Sequence, residues 1–337
     1  MFDYGTELPE REDNLKVWPT EGSFTALVDA DLLPYIVGYT IDPIKYVLAR
    51  EAVERGEHSS IEETAWFLDA ADQMNWTINH WVEKSGADAA LLYITQSEAN
   101  YRLNIAFTKP YKGQRRKEKP PFFYELKRYL VERHGAIVAD GEEADDRIIT
   151  EMWRRHRELE AEGAEIGSDT HRKFSDCIAV STDKDLNIAP GWHYDPGKDK
   201  RTWVDLIGDL TPEYKEGKTG PLISKLRGTG LKFFYAQCIM GDSADNYPGV
   251  PLKGPGAAYD AIHPCTSEAE MFEAVLALYE AKYSKQRLMA NYRGGKQSLT
   301  PLQMFLEQGR LAWMQTFPGE LWKAEHTCPL GTCSSWQ

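Results

Sequence analysis

Eight carboxylates stand at positions from which they could gather divalent cations: Asp29, then Glu143, Asp145 and Asp146, then Asp183 and Asp185, then Asp242 and Asp245. They fall at predicted strand ends and helix starts. In "STDKD" (181–185), the two-residue period of a strand puts Asp183 and Asp185 on one side of the backbone if strand geometry persists that far. Asp242 and Asp245 share a face if "GDSADN" is helical, being three apart. Glu143 and Asp146 have the same spacing at the start of a long helix, where acids also suit the positive end of the dipole. Each cluster alone is ordinary helix or loop chemistry. Together in one crevice they could not all stay ionised without a countercharge, since unit charges ~4 Å apart repel by roughly 4 kcal/mol at an effective dielectric of 20. Hard oxygen ligands select Mg2+ or Mn2+, and a two-ion site can activate water and stabilise the leaving oxygen of a phosphodiester.

Cationic chemistry is concentrated elsewhere. "KPYKGQRRKEKP" (109–120) carries Lys109, Lys112, Arg115, Arg116, Lys117 and Lys119 against the single acid Glu118, within a 337-residue chain of net charge −13. Segregation of this kind fits either a polyanion path beside a cation-collecting pocket or a solvated basic loop. In "GDSADNYPGVPLKGPGAAYDAI" (241–262), turns at Gly249 and at Gly254 to Gly256 lead into a small-residue helix start. Such a turn offers backbone N–H groups to a nucleic-acid phosphate, or is a plain Gly/Pro loop. Tyr101 and Arg102, in "NYR", have the chemistry to stack on an unpaired terminal base.

The elements that must hold these groups read as alternating strands and helices. "FTALVDADLL" (24–33) is a first strand ending at Asp29 or Asp31; residues 60–86 form a helix opened by a Ser60–Glu63 capping box; "ADAALLYITQS" (87–97) is a second strand. A helix over 122–135 closed by Gly135, a short strand at 136–140, a long helix over 142–163 and a strand over 176–185 follow. This alternation predicts an α/β fold: a mostly parallel sheet with helices on both faces and its ligand crevice at the carboxyl ends of the strands. From about residue 210 the chain reads as helical and strand-poor. The expected division is therefore 22–209, including the basic segment 97–120, and 210–325. No apolar run reaches the roughly 18 residues of a membrane span and the start is acidic, which predicts a cytoplasmic protein without membrane partners. Five scattered cysteines fit reduced thiols; Cys328 and Cys333 could form half a zinc site, but no matching second pair exists in the sequence.

In this order and at these separations, "VDAD", "EADD", "STDKD" and "GDSADNYPGVPLKGPGAA" resemble the 5′→3′ exonucleases of the flap-endonuclease superfamily, especially the compact bacteriophage members. The likeness runs from about residue 24 into "EQGRLAWMQ" near the C-terminus. It implies a PIN-like nuclease core, a helix–three-turn–helix element gripping duplex DNA, and a basic arch. It implies further that the eight acids bind two Mg2+ or Mn2+ ions, Asp183 among the catalytic residues, and that a K+ ion sits at the helix–three-turn–helix turn. There Lys253 departs from the usual small residue. "PYKGQRRK" is similar to the family's arch, in which a lysine and an arginine, here Lys112 and Arg115, approach the scissile phosphate. A second departure is Gln96 in "YITQS", where the family usually carries an aspartate.

The resulting expectation is a monomeric, metal-dependent, structure-specific 5′ nuclease that hydrolyses DNA by a two-metal-ion mechanism at a 5′ end or single-strand/duplex junction. RNA–DNA hybrid is a further expected substrate, and a bacterial host's cytoplasm the expected location if the chain is phage-encoded. The alternatives are a PIN-like endoribonuclease and a junction-binding protein impaired in catalysis. The intact acids argue against the last, because buried carboxylates are costly to keep without a cation.

Overall fold

The computed structural model describes residues 16–114, 118–217, 220–283 and 287–323. They form two compact units: 16–100 with 118–186 and 191–203, and 101–114 with 187–190 and the described residues from 204 onward.

In chain order the elements up to residue 204 are β1 (Thr25–Asp29), α1 (Leu33–Gly38), α2 (Pro43–Glu54), α3 (Ala65–Ser85), β2 (Ala89–Asn100), α4 (Arg102–Ile105), α5 (Phe123–His134), β3 (Ile137–Gly141), α6 (Ala144–Ala161), α7 (Asp169–Phe174), β4 (Cys177–Val180), β5 (Gly191–Asp195) and β6 (Lys200–Val204). All but α4 belong to the first unit, with Val204 at its boundary. Its six-stranded sheet has the order β3-β2-β1-β4-β5-β6. Strand β1 runs parallel to both β2 and β4, β2 parallel to β3, and β4 parallel to β5. The expected α/β class with a mostly parallel sheet is therefore present. Every residue of β1 is buried, as suits a central strand covered on both faces. Because β2 lies on one side of β1 and β4 on the other, the chain reverses its direction of winding at β1, and Asp29 ends the strand at that switch point.

The predicted helix is α3, whose Ala70, Met74, Ile78 and Trp81 recur at helical spacing and are buried in the core beside Phe67. Its start differs from the expectation. Thr64 is extended and accepts from Phe67 N at 3.3 Å, so it caps α3 itself. Ser60 precedes a separate single turn, Ile61–Glu63, and Glu63 accepts instead from Ser59 N at 2.7 Å. Strand β4 is also shorter than expected, stopping at Val180 before the aspartates.

The second unit contains, besides α4, β7 (Leu210–Gly217), β8 (Gly220–Gly228), α8 (Gly230–Met240), α9 (Pro255–Ile262), α10 (Glu268–Tyr283), β9 (Arg287–Ala290), β10 (Lys296–Leu299) and α11 (Pro301–Ala312). The helices enclose an apolar core that includes Phe234, Ile239, Val250, Ala258, Phe272, Val275 and Phe305. The strand-poor expectation is corrected by two antiparallel hairpins, β7–β8 and β9–β10. In "LISKLRG", Leu222 and Leu226 are four apart, a helical spacing as much as an alternate-residue strand spacing, and the pairing with β7 decides between them.

Residues 101–114 of the basic segment fold with this unit, whereas the sequence reading set all of 97–120 in the first. The cause is visible in the core: Ala106, Phe107 and Tyr111 are buried in it, and Glu307 Oε1 on α11 accepts from Phe107 N at 2.8 Å and Thr108 N at 2.7 Å. No helix among the described residues is long and apolar enough to cross a membrane.

Candidate metal centre and nucleic-acid contacts

In the first unit the parallel register brings the carboxyl ends of β1, β2, β3 and β4 to one edge of the sheet. Asp29 is 6% exposed there; it accepts from Ser181 Oγ at 2.9 Å and from Asp31 N at 3.2 Å. Burial first, then the neighbouring Asp31 and Asp183 charges, push its carboxyl up to about 7 against the pull of the Ser181 hydrogen bond. Such a carboxyl is short of positive charge.

Asp183 and Asp185 are positioned by local turns and not by a strand. Asp183 N donates to Ser181 Oγ at 2.9 Å, and Asp185 N donates to Asp183 Oδ1 at 3.0 Å. Short polar side chains binding their own backbone in this way end a strand. Ser181 is thus a shared post, holding Asp29 and Asp183 together. Lys184 Nζ lies 3.1 Å from Asp185 Oδ1.

Glu143, Asp145 and Asp146 open α6. Glu143 and Asp146 form a reciprocal capping box, and Asp146 N donates to Asp145 Oδ1 at 2.7 Å. One oxygen from each lies within 4.8 Å of the others, and Asp146 is wholly buried. A carboxylate offers about four lone-pair sites, so a capping carboxylate can also face an ion. The donors are all hard oxygens and Asp29 lacks countercharge, which together fit a divalent cation such as Mg2+ or Mn2+.

Behind the acids lie residues that the sequence reading did not assign to the site. Thr95 N donates to Asp31 Oδ1 at 3.0 Å, the Thr95 hydroxyl donates to Asp31 Oδ2, and Ala144 N donates to Thr95 Oγ1 at 2.9 Å. Lys127 of α5 donates to Thr95 O at 2.5 Å and lies 3.9 Å from Asp31 Oδ1. Gln96, in the orientation that satisfies its amide, donates to Asp140 Oδ1 on β3 at 2.7 Å. Only the departure at Gln96 pointed to this region.

In the second unit, Asp242 and Asp245 sit in a turn and not on a helix face. Asp242 bridges to Tyr247 through both backbone groups, and its Oδ1 accepts from Ala244 N at 2.6 Å and Asp245 N at 3.1 Å. Asp245 is joined to the basic segment: Lys112 N donates to its carbonyl at 2.9 Å, Tyr111 OH donates to Oδ2 at 3.1 Å, and Lys112 Nζ lies 4.0 Å from Oδ1. Asn246 Nδ2 donates to Pro110 O at 2.8 Å, and Gln114 to Ser243 O. Lys112 has a φ of 51°, a left-handed conformation uncommon for a side chain with a Cβ and one that concentrates at functional sites.

The remaining expected contacts divide. Lys109 is exposed, while Arg115 and Arg116 lie outside the described residues, as do Cys328 and Cys333. Arg102 is corrected: it is 1% exposed, with its guanidinium on Leu311 O at 3.1 Å and Trp313 O at 2.8 Å, so it braces the second unit and cannot stack on a base. Tyr101 is half-buried, with its ring beneath that guanidinium. Gly249 is corrected too. Its N–H donates to Gln308 Oε1 at 3.0 Å, and a Cβ at its φ of 61° would lie 2.4 Å from Gly241 N and Ile239 O. Gly254 and Gly256, at the start of α9, have open space around them and leave a backbone surface that a phosphate can approach.

No protein-family model matches the sequence. The similarity among curated proteins is to DNA polymerase I. The Lactococcus lactis enzyme is 28% identical over 188 residues, 54% of this chain and 19% of that one; the Rhizobium leguminosarum enzyme is 28% identical over 158 residues, 46% and 12% respectively. The chain thus spans at most about a fifth of the curated relatives it matches. Among solved structures, a bacteriophage T5 flap endonuclease complex with DNA and metal ions has a TM-score of 0.42 at 15% identity, covering 77% of this chain and 90% of that one. The T5 5′-exonuclease with bound zinc has a TM-score of 0.41 at the same identity and coverage.

Proposed function

We propose that this protein is a metal-dependent, structure-specific 5′ nuclease acting on DNA as a 5′→3′ exonuclease or flap endonuclease. The observation that carries this reading is the crowding of carboxylates at the carboxyl edge of the sheet. Asp29, raised to about 7 beside Asp31 and Asp183, and the Glu143–Asp145–Asp146 trio form an acid set that divalent cations would stabilise. Similarity to DNA polymerase I supports DNA as the polymer. Two bound ions, Mg2+ or Mn2+, would supply water activation and stabilisation of the leaving oxygen. In the first unit Asp29, Glu143, Asp145, Asp146, Asp183 and Asp185 would hold them; in the second, Asp242 and Asp245 are the acids proposed for metal binding.

The chain's own cations do the rest of the work in this reading. Lys112 serves as a point charge that offsets charge developing on the scissile phosphate, and Arg115 as a bidentate partner. The start of α9 at Gly254 and Gly256 receives a duplex phosphate, with K+ as an accessory ion at that turn. The first unit is the catalytic core and the second the duplex grip. The protein works as a cytoplasmic monomer on 5′ ends and junctions, with RNA–DNA hybrid as a further substrate.

A 5′-labelled flap duplex, a blunt duplex and single-stranded RNA, each incubated with Mg2+ and with EDTA, provide the test. Metal-dependent cut products from the flap are expected. Cleavage of the RNA alone would replace this reading with an endoribonuclease, and binding without cleavage in any divalent ion would replace it with a junction binder.

A further inference from the structure

We infer that Thr95 is a positioning residue for the metal-ligating turn of α6, acting together with Asp31 and Lys127; the inference rests on the metal reading above. The first N–H groups of a helix have no intrahelical acceptor. At α6, Ala144 N is satisfied by a side chain from another strand, the Thr95 hydroxyl at 2.9 Å. That hydroxyl has one proton, which it gives to Asp31 Oδ2, while Thr95 N donates to Asp31 Oδ1 at 3.0 Å. The carboxylate thereby fixes the direction of the hydroxyl and leaves its lone pairs toward Ala144. Lys127, only 7% exposed, donates to Thr95 O at 2.5 Å and lies 3.9 Å from Asp31 Oδ1, so the Asp31 charge is compensated within the network.

This arrangement separates two tasks. Glu143, Asp145 and Asp146 satisfy each other's backbone groups within the turn, and those same carboxylates must face an ion. The Thr95 bond to Ala144 uses none of their oxygens. It anchors the turn to β2 from outside, so that reorienting the three carboxylates toward a cation does not release the turn. Asp31 sits two residues after Asp29 and, held by Thr95 and Lys127, acts through them and not as an ion ligand.

Isothermal titration of Mn2+ into the full chain, with thermal unfolding in EDTA, tests this. Thr95→Val keeps the shape and removes the hydroxyl; Thr95→Ser keeps the hydroxyl. Groups just outside a metal's ligands typically change affinity by about 10–100-fold. Mn2+ binding at least about tenfold weaker in Thr95→Val, with Thr95→Ser restored to near wild type, is the expected result. Asp31→Asn, whose single amide oxygen cannot accept from both the Thr95 backbone N–H and the Thr95 hydroxyl, is expected to weaken binding in the same direction and serves if Thr95→Val does not fold. A lower unfolding temperature in EDTA with unchanged Mn2+ affinity would overturn the inference and leave Thr95 a strand-stitching residue. Absence of Mn2+ binding in the wild type, matched by Asp146→Asn, would overturn the metal reading itself and the inference with it.

Discussion

The Gln96 side chain on β2 reaches across the sheet to Asp140 on β3, with the amide nitrogen 2.7 Å from Oδ1. The amide therefore pairs with a carboxylate beside the acid cluster, and an aspartate placed there would face a like charge. We expect Gln96→Asp to lower stability in EDTA by up to about 1 kcal/mol, the scale of a like-charge pair across two strands where Asp140 is exposed and screened, and Mg2+ to restore part of it. Reversing the pair, Gln96→Asp with Asp140→Asn, recovers the EDTA stability, because the donor then lies on the other strand. A double-mutant cycle by thermal unfolding reads this directly; purely additive losses would mean that the two side chains do not interact.

Asp183→Asn is expected to reduce Mg2+-dependent cleavage by more than about 100-fold, on the scale of losing a metal ligand or an electrostatic stabiliser. DNA binding in Ca2+ should be nearly unchanged. The same substitution removes a charge that faces buried Asp29, so the unfolding temperature in EDTA should rise. Cleavage within tenfold of wild type would reduce Asp183 to a turn residue.

Lys112 yields two separable measurements. Lys112→Ala should lower the single-turnover rate by about 100-fold or more while duplex affinity changes little. Lys112→Gly should be as slow but more stable than the alanine variant by about 1 kcal/mol, because glycine carries no penalty in the left-handed conformation at φ 51°. Equal stabilities of the two variants would argue against that backbone conformation.

His134 gives the first unit an acid sensitivity. Burial holds the imidazole down to about 4 from its ordinary 6.5, with Nε2 2.8 Å from Asn75 Oδ1. The unfolded chain binds this proton more readily, so the stability that its neutral form contributes is complete above about pH 6.5 and is lost as pH falls toward 4. The slope is at most about 1.4 kcal/mol per pH unit. His134→Gln should flatten the decline in unfolding temperature between pH 7 and pH 5; an unchanged slope would assign the decline to other groups.

Much of the first unit was legible because central parallel strands are continuous apolar runs. "TALV" and "CIAV" therefore declare themselves, and their flanking acids follow. The conformation of those acids was less legible: whether Asp183 continues a strand depends on Ser181 turning back onto the backbone, a competition that periodicity does not record. Thr95, Asp31, Lys127 and Ala144 form one network across sequence separations of 64, 32 and 49 residues, which only strand register and helix docking bring together. At Arg102 the basic type was plain, but its burial on carbonyls more than 200 residues away was not.

Residues 101–114 leave the ribosome about 200 residues before α11, whose Glu307 and Leu311 hold Phe107, Thr108 and Arg102. At roughly 5–20 residues per second, that segment spends about 10–40 s without the partners it is built to meet. The sheet of the first unit can close in that interval, since all its strands precede residue 205. Phe107 and Tyr111, buried in the finished protein, are apolar side chains still waiting for their partners in that interval, Tyr111 for Asp245 and Phe107 for Glu307 of α11. Synthesis that stalls between β6 and α11 would thus leave a folded sheet carrying an adhesive loop, and chaperone capture should concentrate on that nascent length.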